Sequence, residues 1–430
     1  MSFDGEAENS FAGWVFDSLN RRSKSRIFLS PSHGIGNRCE EIRWGLWRAT
    51  IQGKLLTLTY QVRLPKPFPV QANNELRNFR SPQLDSCRLS PVRLGLWLIL
   101  HVCLVVDIFR SALMAVRRRN HAHLNFYVWA GQDSLFGSDH KAQQFTWQAI
   151  DNQQPEKSNE FVPQLYFTNE QEIHFQRKLE RLGVQKGGWY VCLHVRDGGY
   201  HGDRVSRRNA DIRTYSPAVK EIVDRGGVVI RMGDYRMQPA PKDFGLIDYA
   251  HSDYQDEWFD MFLIKNCRLY IGMQSGIMDS AILFGRQLLI TNMDSFTFWP
   301  LLKAEDRGIF KHLFSSELER NLTVREMLSL PFRFRDFALG QNDSSLTPIT
   351  NSPEEIHAAV VESLAITEST VPSELQQQFR TARNVLIRSE IDKFVGRDVR
   401  KDDLMYLNRN ALRVSSEGTL SREFLAKHFN

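Results

Sequence analysis

The sequence predicts an α/β protein built on parallel sheets, and three observations carry that prediction. Short apolar runs of strand length recur through the second half of the chain, at Trp189–Leu193, Val228–Met232, Arg268–Gly272 and Leu288–Thr291. Stretches with helical spacing separate them, and strands alternating with helices of about ten residues imply a parallel sheet with right-handed crossovers. Each run ends abruptly in polar or glycine-rich residues, as buried strands do where the chain leaves the core.

Composition agrees with a folded protein: 42% of the 430 residues are hydrophobic and 24% charged, so a disordered chain is excluded. This length exceeds one ordinary core and suggests two domains plus extensions. A net charge of +5 suits an anionic small ligand or a membrane surface. The charges are mixed along the chain, and no long basic tract points to nucleic acid. Cys39, Cys87, Cys103, Cys192 and Cys267 are scattered, mostly in apolar context and without a CxxC pair. They read as reduced core residues, with no zinc or redox site. The acidic amino terminus has no basic start followed by an apolar run, so no secretory signal is expected.

Taken in order, Arg26–Leu29 reads as the first strand. Gly34, Gly36 and Asn37 supply a tight turn, Glu40–Thr50 carries helical spacing at Ile42, Leu46 and Ala49, and Leu55–Tyr60 is the next strand. This is a βαβ unit opened by a glycine-rich turn. Asn37 and Arg38 stand as donors at a helix amino terminus, where amides and dipole favour an anion; close packing explains the same glycines equally.

Leu94–Phe109 is the most apolar stretch and continues through RSALMAVRRR into a basic end. Its 16 residues, His101 and Asp107 among them, fall short of the roughly 20 that a membrane span requires. Two readings stay open: a helix buried in the first domain, or a helix lying in the membrane interface, anchored by Trp97, Arg110, Arg117, Arg118 and Arg119.

Leu124–Trp129 reads as a further strand, Phe136–Pro163 as a polar boundary region, and Asn169–Leu182 as an amphipathic helix leading into the central strand. Tyr215–Arg225 is helical and closes on Gly226 and Gly227. Leu246 and Ile247 begin a short strand, Glu257–Asn266 and Gly276–Phe284 are helices, and Ser352–Ala365 and Ser373–Asp392 follow as helices, the first with a capping-box start. The stretch LSREFLAKHF is a short helix.

The chemistry concentrates after three strands: HVRDGGYHGD at 194–203, RMGD at 231–234 and GMQSGIMDSAILFG at 272–285. In open α/β sheets, ligands bind in the crevice outside the carboxyl ends of the strands. Arg196 projects there beside Gly198 and Gly199, and a planar guanidinium suits a pyrophosphate. Ser275 and Gly276 open the last helix with outward-facing amides. Between the first two clusters, Asn209, Asp211 and Tyr215 are candidate contacts for an acceptor or sugar.

GIGNR at Gly34–Arg38 and HVRDGG at His194–Gly199 resemble the GxGN turn and HxR motif of fucosyltransferase-like glycosyltransferases of GT-B architecture. The span from His194 through RNADIRTY to SGIMDSAILFG is similar to a bacterial group of glycosyltransferases associated with surface polysaccharide synthesis. The likeness covers residues 30–60 and 190–295. It implies two Rossmann-like domains facing a cleft: an acceptor-side domain at 1–165, a nucleotide-sugar-binding domain at 166–330, and a helical carboxyl-terminal extension at 331–430.

Carried over by position, Arg196 would neutralise the diphosphate leaving group, His194 would support it, and Ser275 and Gly276 would contact the nucleotide; Asp234, closing RMGD, is a further candidate for binding it. Gly36, Asn37 and Arg38 would close the cleft from the other domain. Asp197, Asp203 and Asp211 are candidates for the acceptor base, since the loop after HVRD departs from the eukaryotic pattern.

Arginine and helix amides can stabilise developing diphosphate charge without a metal, and no DxD motif stands in a loop context, so neither metal nor cofactor is expected. The expected activity is transfer of a sugar from a nucleotide-diphosphate donor to a glycan or lipid-linked acceptor. The expected location is cytoplasmic, with peripheral inner-membrane contact through 94–119 as an option. A non-catalytic nucleotide- or glycan-binding protein and a sugar-nucleotide epimerase are the alternatives.

Overall fold

The structure, a computed structural model, describes residues 11–29, 34–59, 76, 79–85, 91–117, 143–144, 154–199, 206–296, 299–331, 339–340, 343–367, 370–399, 407 and 410–430. It is a mixed α/β protein with parallel sheets. The chain divides into two units: residues 1–145, 162–168 and 396–408 form the first, and 146–161, 169–395 and 409–430 the second. The expected strand at 124–129 lies outside the described residues, as does Asp203.

In the first unit β1 (Arg26–Leu29) and β2 (Leu55–Leu58) pair in parallel, with Arg26 opposite Leu55 and Leu29 opposite Leu58. The connecting helix, Ile35–Gln52, ends at Gly53, which adopts φ 60° and donates its amide to the carbonyls of Ala49 and Thr50. A side chain there would be strained, which explains the glycine. The expected βαβ unit is therefore present, but its helix begins earlier than the spacing suggested. Gly34 is the cap, and Gly36, Asn37 and Arg38 lie within the first turn.

Helix Phe11–Arg22 packs on helix Pro91–Arg117 through Ala12, Phe16, Leu96, Leu100, Cys103 and Leu104. The Asp107 carboxylate accepts the amides of Phe11 at 2.7 Å and Ala12 at 3.1 Å, satisfying donors that a helix start leaves open. A short antiparallel pair, β3 (Gln143–Gln144) with β12 (Asp398–Val399), belongs to the same unit.

The second unit is organised by a six-stranded parallel sheet. Its strands are β4 (Tyr190–Leu193), β5 (Val228–Arg231), β6 (Leu269–Gly272), β7 (Leu288–Met293), β8 (Arg307–Phe310) and β13 (Thr419–Leu420), in the spatial order β13-β8-β7-β6-β4-β5. Every pairing is parallel. From β4 the chain moves outward to β5, returns to β6 on the other side of β4, and continues to β7 and β8. That reversal is a topological switch point, and it lies between β4 and β6.

Beside this sheet, β9 (His312–Ser315), β10 (Arg320–Asn321) and β11 (Leu346–Ile349) form a small antiparallel sheet. The core strands are buried throughout, Val191, Cys192, Ile230, Leu269 and Leu289 among them.

Three expectations need correction. The helical extension expected at 331–430 also carries strands β11, β12 and β13. Of its segments, 331–395 and 409–430 belong to the second unit, with β13 extending its main sheet, and 396–408 belong to the first. Ile247 makes only a single bridge to Ile230 rather than a strand. The helix expected at Gly276–Phe284 spans Met278–Leu283.

Candidate functional site: the carboxyl edge of the parallel sheet

At the switch point the chain ends of β4 and β6 stand side by side. The His194 amide continues the ladder to the Ile271 carbonyl at 2.9 Å, and Ser275 Oγ lies 3.3 Å from His194 Nδ1. Ser275 is not in a helix. Its carbonyl accepts the Met278 amide in the turn before one, and Gly276 is exposed in the same turn.

Burial, and then the positive charges of Arg231 and Arg196, push His194 down to about 4. The imidazole is therefore neutral at pH 7, and its Nδ1 accepts from or donates to the Ser275 hydroxyl according to its tautomer.

Arg196 is half-buried and its Nε donates to Asn209 Oδ1 at 3.2 Å. The Ala210 amide returns a bond to the Arg196 carbonyl at 2.9 Å. The segment 206–211 is thereby clipped against the strand end. It is held from other strands as well: Lys311, directly after β8, donates from Nζ to the carbonyls of Arg207 at 2.6 Å and Asn209 at 2.7 Å. The Arg208 guanidinium donates to the Gln274 carbonyl. Gln274 in turn accepts the amides of Asp294 and Ser295 and donates to the Ser295 carbonyl.

Asp294 reaches this position because β7 ends irregularly. The register shifts between Ile290 and Met293, and Asn292 takes φ 52°, a left-handed conformation that asparagine tolerates better than most residues. Its side chain is anchored, bonding the backbone of Asn351 and the hydroxyl of Tyr215. Burial raises Asp294 to about 6, against the opposing pull of Arg208, Lys311 and Arg207. Burial lowers Lys311 to about 8, with Asp294 opposing. A lysine, two arginines and one acid therefore share the edge that holds His194 and Arg196.

Asp197, Asp234, Asp211 and Tyr215 make hydrogen bonds that hold the surrounding loops. Asp197 accepts the Gly199 amide at 2.9 Å and the Gln238 amide at 2.6 Å, fastening the loop after β4 to the loop after β5. The paired glycines follow from that approach. Gly198 sits at φ 81°, and a Cβ on Gly199 would meet the Arg236 carbonyl at 2.3 Å. Asp234 pairs with Arg236, whose hydrogen bond holds its carboxyl below the usual range.

Asp211 caps the turn Ile212–Tyr215, accepting the Arg213 amide and pairing with its guanidinium, which also lowers its pKa. Tyr215 is fully buried, its hydroxyl facing Thr291 and Asn292. In the first unit Arg38 is fully buried.

Arg207, Arg208, Gln274, Asp294 and Lys311 were not expected from the sequence. Lys311 gave one signal, a lone lysine in the middle of the run GIFKHLF.

Apart from this edge, His312, Glu355 and His428 place potential metal-ligand atoms within 4.8 Å of one another. Their arrangement is that of a hydrogen-bonded brace, with both Nε2 atoms meeting Glu355 Oε1 at 2.9 and 2.7 Å. Burial alone would raise Glu355, but hydrogen bonds from His312, His428 and the Ser352 amide outweigh it and hold the carboxyl well below its usual range. A carboxylate depressed in the folded state stabilises fully above its unfolded pKa and loses that contribution as pH falls. Glu355→Gln is expected to lower stability at pH 7 by about 1–3 kcal/mol and to flatten the decline of melting temperature in acid. Calorimetry from pH 7 to 3 checks both.

No protein-family model and no curated protein matches this sequence. Among solved structures the chain is similar to a glycosyl transferase of family 9 from Veillonella parvula, at 10% identity and a TM-score of 0.36 over 65% of this chain and 84% of that one. It is also similar to the ADP-heptose LPS heptosyltransferase II of E. coli, at 11% identity and a TM-score of 0.37 over 79% of this chain and all of the other. A third similarity is to the iron-containing dodecameric glycosyltransferase TibC of enterotoxigenic E. coli, at 10% identity and a TM-score of 0.30 over 86% of this chain and 78% of that one.

Proposed function

We propose that the protein is a glycosyltransferase of GT-B type whose second unit binds a nucleotide-diphosphate sugar at the carboxyl edge of the parallel sheet. The observation that carries this reading is the meeting of His194, Arg196 and Ser275 across the β4–β6 switch point, beside Lys311 and Arg208. A departing nucleoside diphosphate gains negative charge as the glycosyl C–O bond breaks, and preorganised donors in a partly buried site stabilise it. In this reading Arg196 takes the diphosphate charge, and Ser275 with neutral His194 supplies hydrogen bonds to phosphate or ribose. Asp197 and Asp234 keep the neighbouring loops in place, and Asp211 caps the turn that follows.

The acceptor is a glycan or lipid-linked sugar, the pathway is surface polysaccharide synthesis, and the family is the fucosyltransferase-like group that HVRDGG resembles. That motif supports the family, and the likeness of the span from His194 through RNADIRTY to SGIMDSAILFG supports the pathway. No step of this reading calls for a metal.

A melting-temperature panel of nucleoside diphosphates tests the site. Saturation to 100 times Kd is expected to stabilise the protein by about 2.7 kcal/mol, and the absence of any shift across the panel would sink the proposal. With the matching nucleotide sugar, slow release of nucleoside diphosphate supports transfer. Binding without release, or an altered sugar on an intact nucleotide, goes against it.

A further inference from the structure

The helix Pro91–Arg117 has two faces of different character. Leu96, Leu100, Cys103 and Leu104 are buried on helix Phe11–Arg22, with Asp107 holding that helix's first amides. The opposite face carries Leu98, Val102, Val105, Phe109, Leu113 and Val116, each between 52% and 77% exposed. Their spacing of three and four residues is that of one unbroken helical stripe. The stretch Pro91–Arg110 is long and apolar enough to cross a membrane by length and composition, and 22% of it is buried. The packed face argues against a span, because one side of the helix is already committed to protein.

Residues 91–119 contain five arginines and a single acid. That acid is Asp107, engaged with the amides of Phe11 and Ala12 on the packed side. Arg110 is exposed near the carboxyl end, where the chain continues into Arg117, Arg118 and Arg119. An apolar stripe free of carboxylates, within a segment that is basic by sequence, complements a surface of anionic headgroups over hydrocarbon.

We propose that this outer face seats on an anionic phospholipid surface, with the helix lying in the plane of the interface. The inference stands apart from the glycosyl-transfer reading, since every residue it uses lies in the first unit.

The test is flotation of the full-length protein with vesicles of phosphatidylglycerol and phosphatidylethanolamine, against vesicles of phosphatidylcholine alone. The protein is expected to float with the anionic vesicles, to be released by high salt and alkaline carbonate, and to partition at least tenfold less onto phosphatidylcholine. V102E/F109E is expected to lose at least tenfold of the binding while keeping the wild-type melting temperature. Leu113→Glu serves as a second variant should the first not fold.

Four results would overturn the proposal: no flotation of the wild type, flotation equal on neutral lipid, flotation unchanged in both variants, or retention after carbonate as a spanning helix would show. Self-association that is lost in the variants without vesicle binding would instead assign the stripe to a second copy.

Discussion

Arg196→Ala is expected to lower kcat for donor turnover by roughly 10²- to 10³-fold, the usual cost of removing one preorganised donor from a site of developing negative charge. The fold should survive. The guanidinium is half-buried and bonds the side chain of Asn209, whereas the bonds that shape the loop, from Ala210 to the Arg196 carbonyl and from the Arg196 amide toward Met273, are made by backbone atoms. Melting temperature and nucleoside-diphosphate release measured on one preparation separate the two effects. Wild-type turnover in a folded variant would remove Arg196 from its role.

Lys311→Met is expected to be the next most severe change, and its signature differs. Lys311 contributes through the loop: it secures the carbonyls of Arg207 and Asn209, and Asn209 in turn orients Arg196. Its loss strands two carbonyls in a half-buried setting, each costing about 1–3 kcal/mol, so stability and kcat fall together, and KM rises because the charge that favours an anionic ligand is gone.

The pH dependence gives the discriminating readout. Burial brings Lys311 to about 8, so it is charged below that pH and neutral above it. An anionic ligand favours the charged form, and nucleoside-diphosphate affinity therefore weakens as pH rises through 8. In Lys311→Met that limb of the profile should be flat. A profile unchanged by the substitution would leave Lys311 as a structural brace only.

The residues of this one edge differ in how legible they were. His194, Arg196 and Ser275 could be read because they follow short apolar runs directly, and a parallel sheet places all such ends on one edge. Lys311 and Asp294 obey the same rule, yet the signal failed for them. Asp294 is aimed by the irregular end of β7 and the left-handed Asn292, a backbone event with no periodic trace. Lys311 leads straight into β9, so its apolar surroundings read as one longer strand.

Asp197 and Asp211 were recognisable as polar groups near the site. Their partners, the Gln238 amide and Arg213, depend on loop conformations that residue type alone does not dictate. The burial of Arg38 was not legible: GxGN at a helix start looks outward by motif, whereas in helix Ile35–Gln52 that side chain is fully buried.

The polypeptide crosses between the two units at 145/146, 161/162, 168/169, 395/396 and 408/409. No single scission can therefore liberate either half as an intact body. A fragment that stops at 395 carries β8 but lacks its edge partner, Thr419–Leu420, and leaves a row of ladder groups open to intermolecular pairing. The main sheet gains that outermost strand only after the chain has passed through the other half, so its completion rests on a contact of long sequence separation.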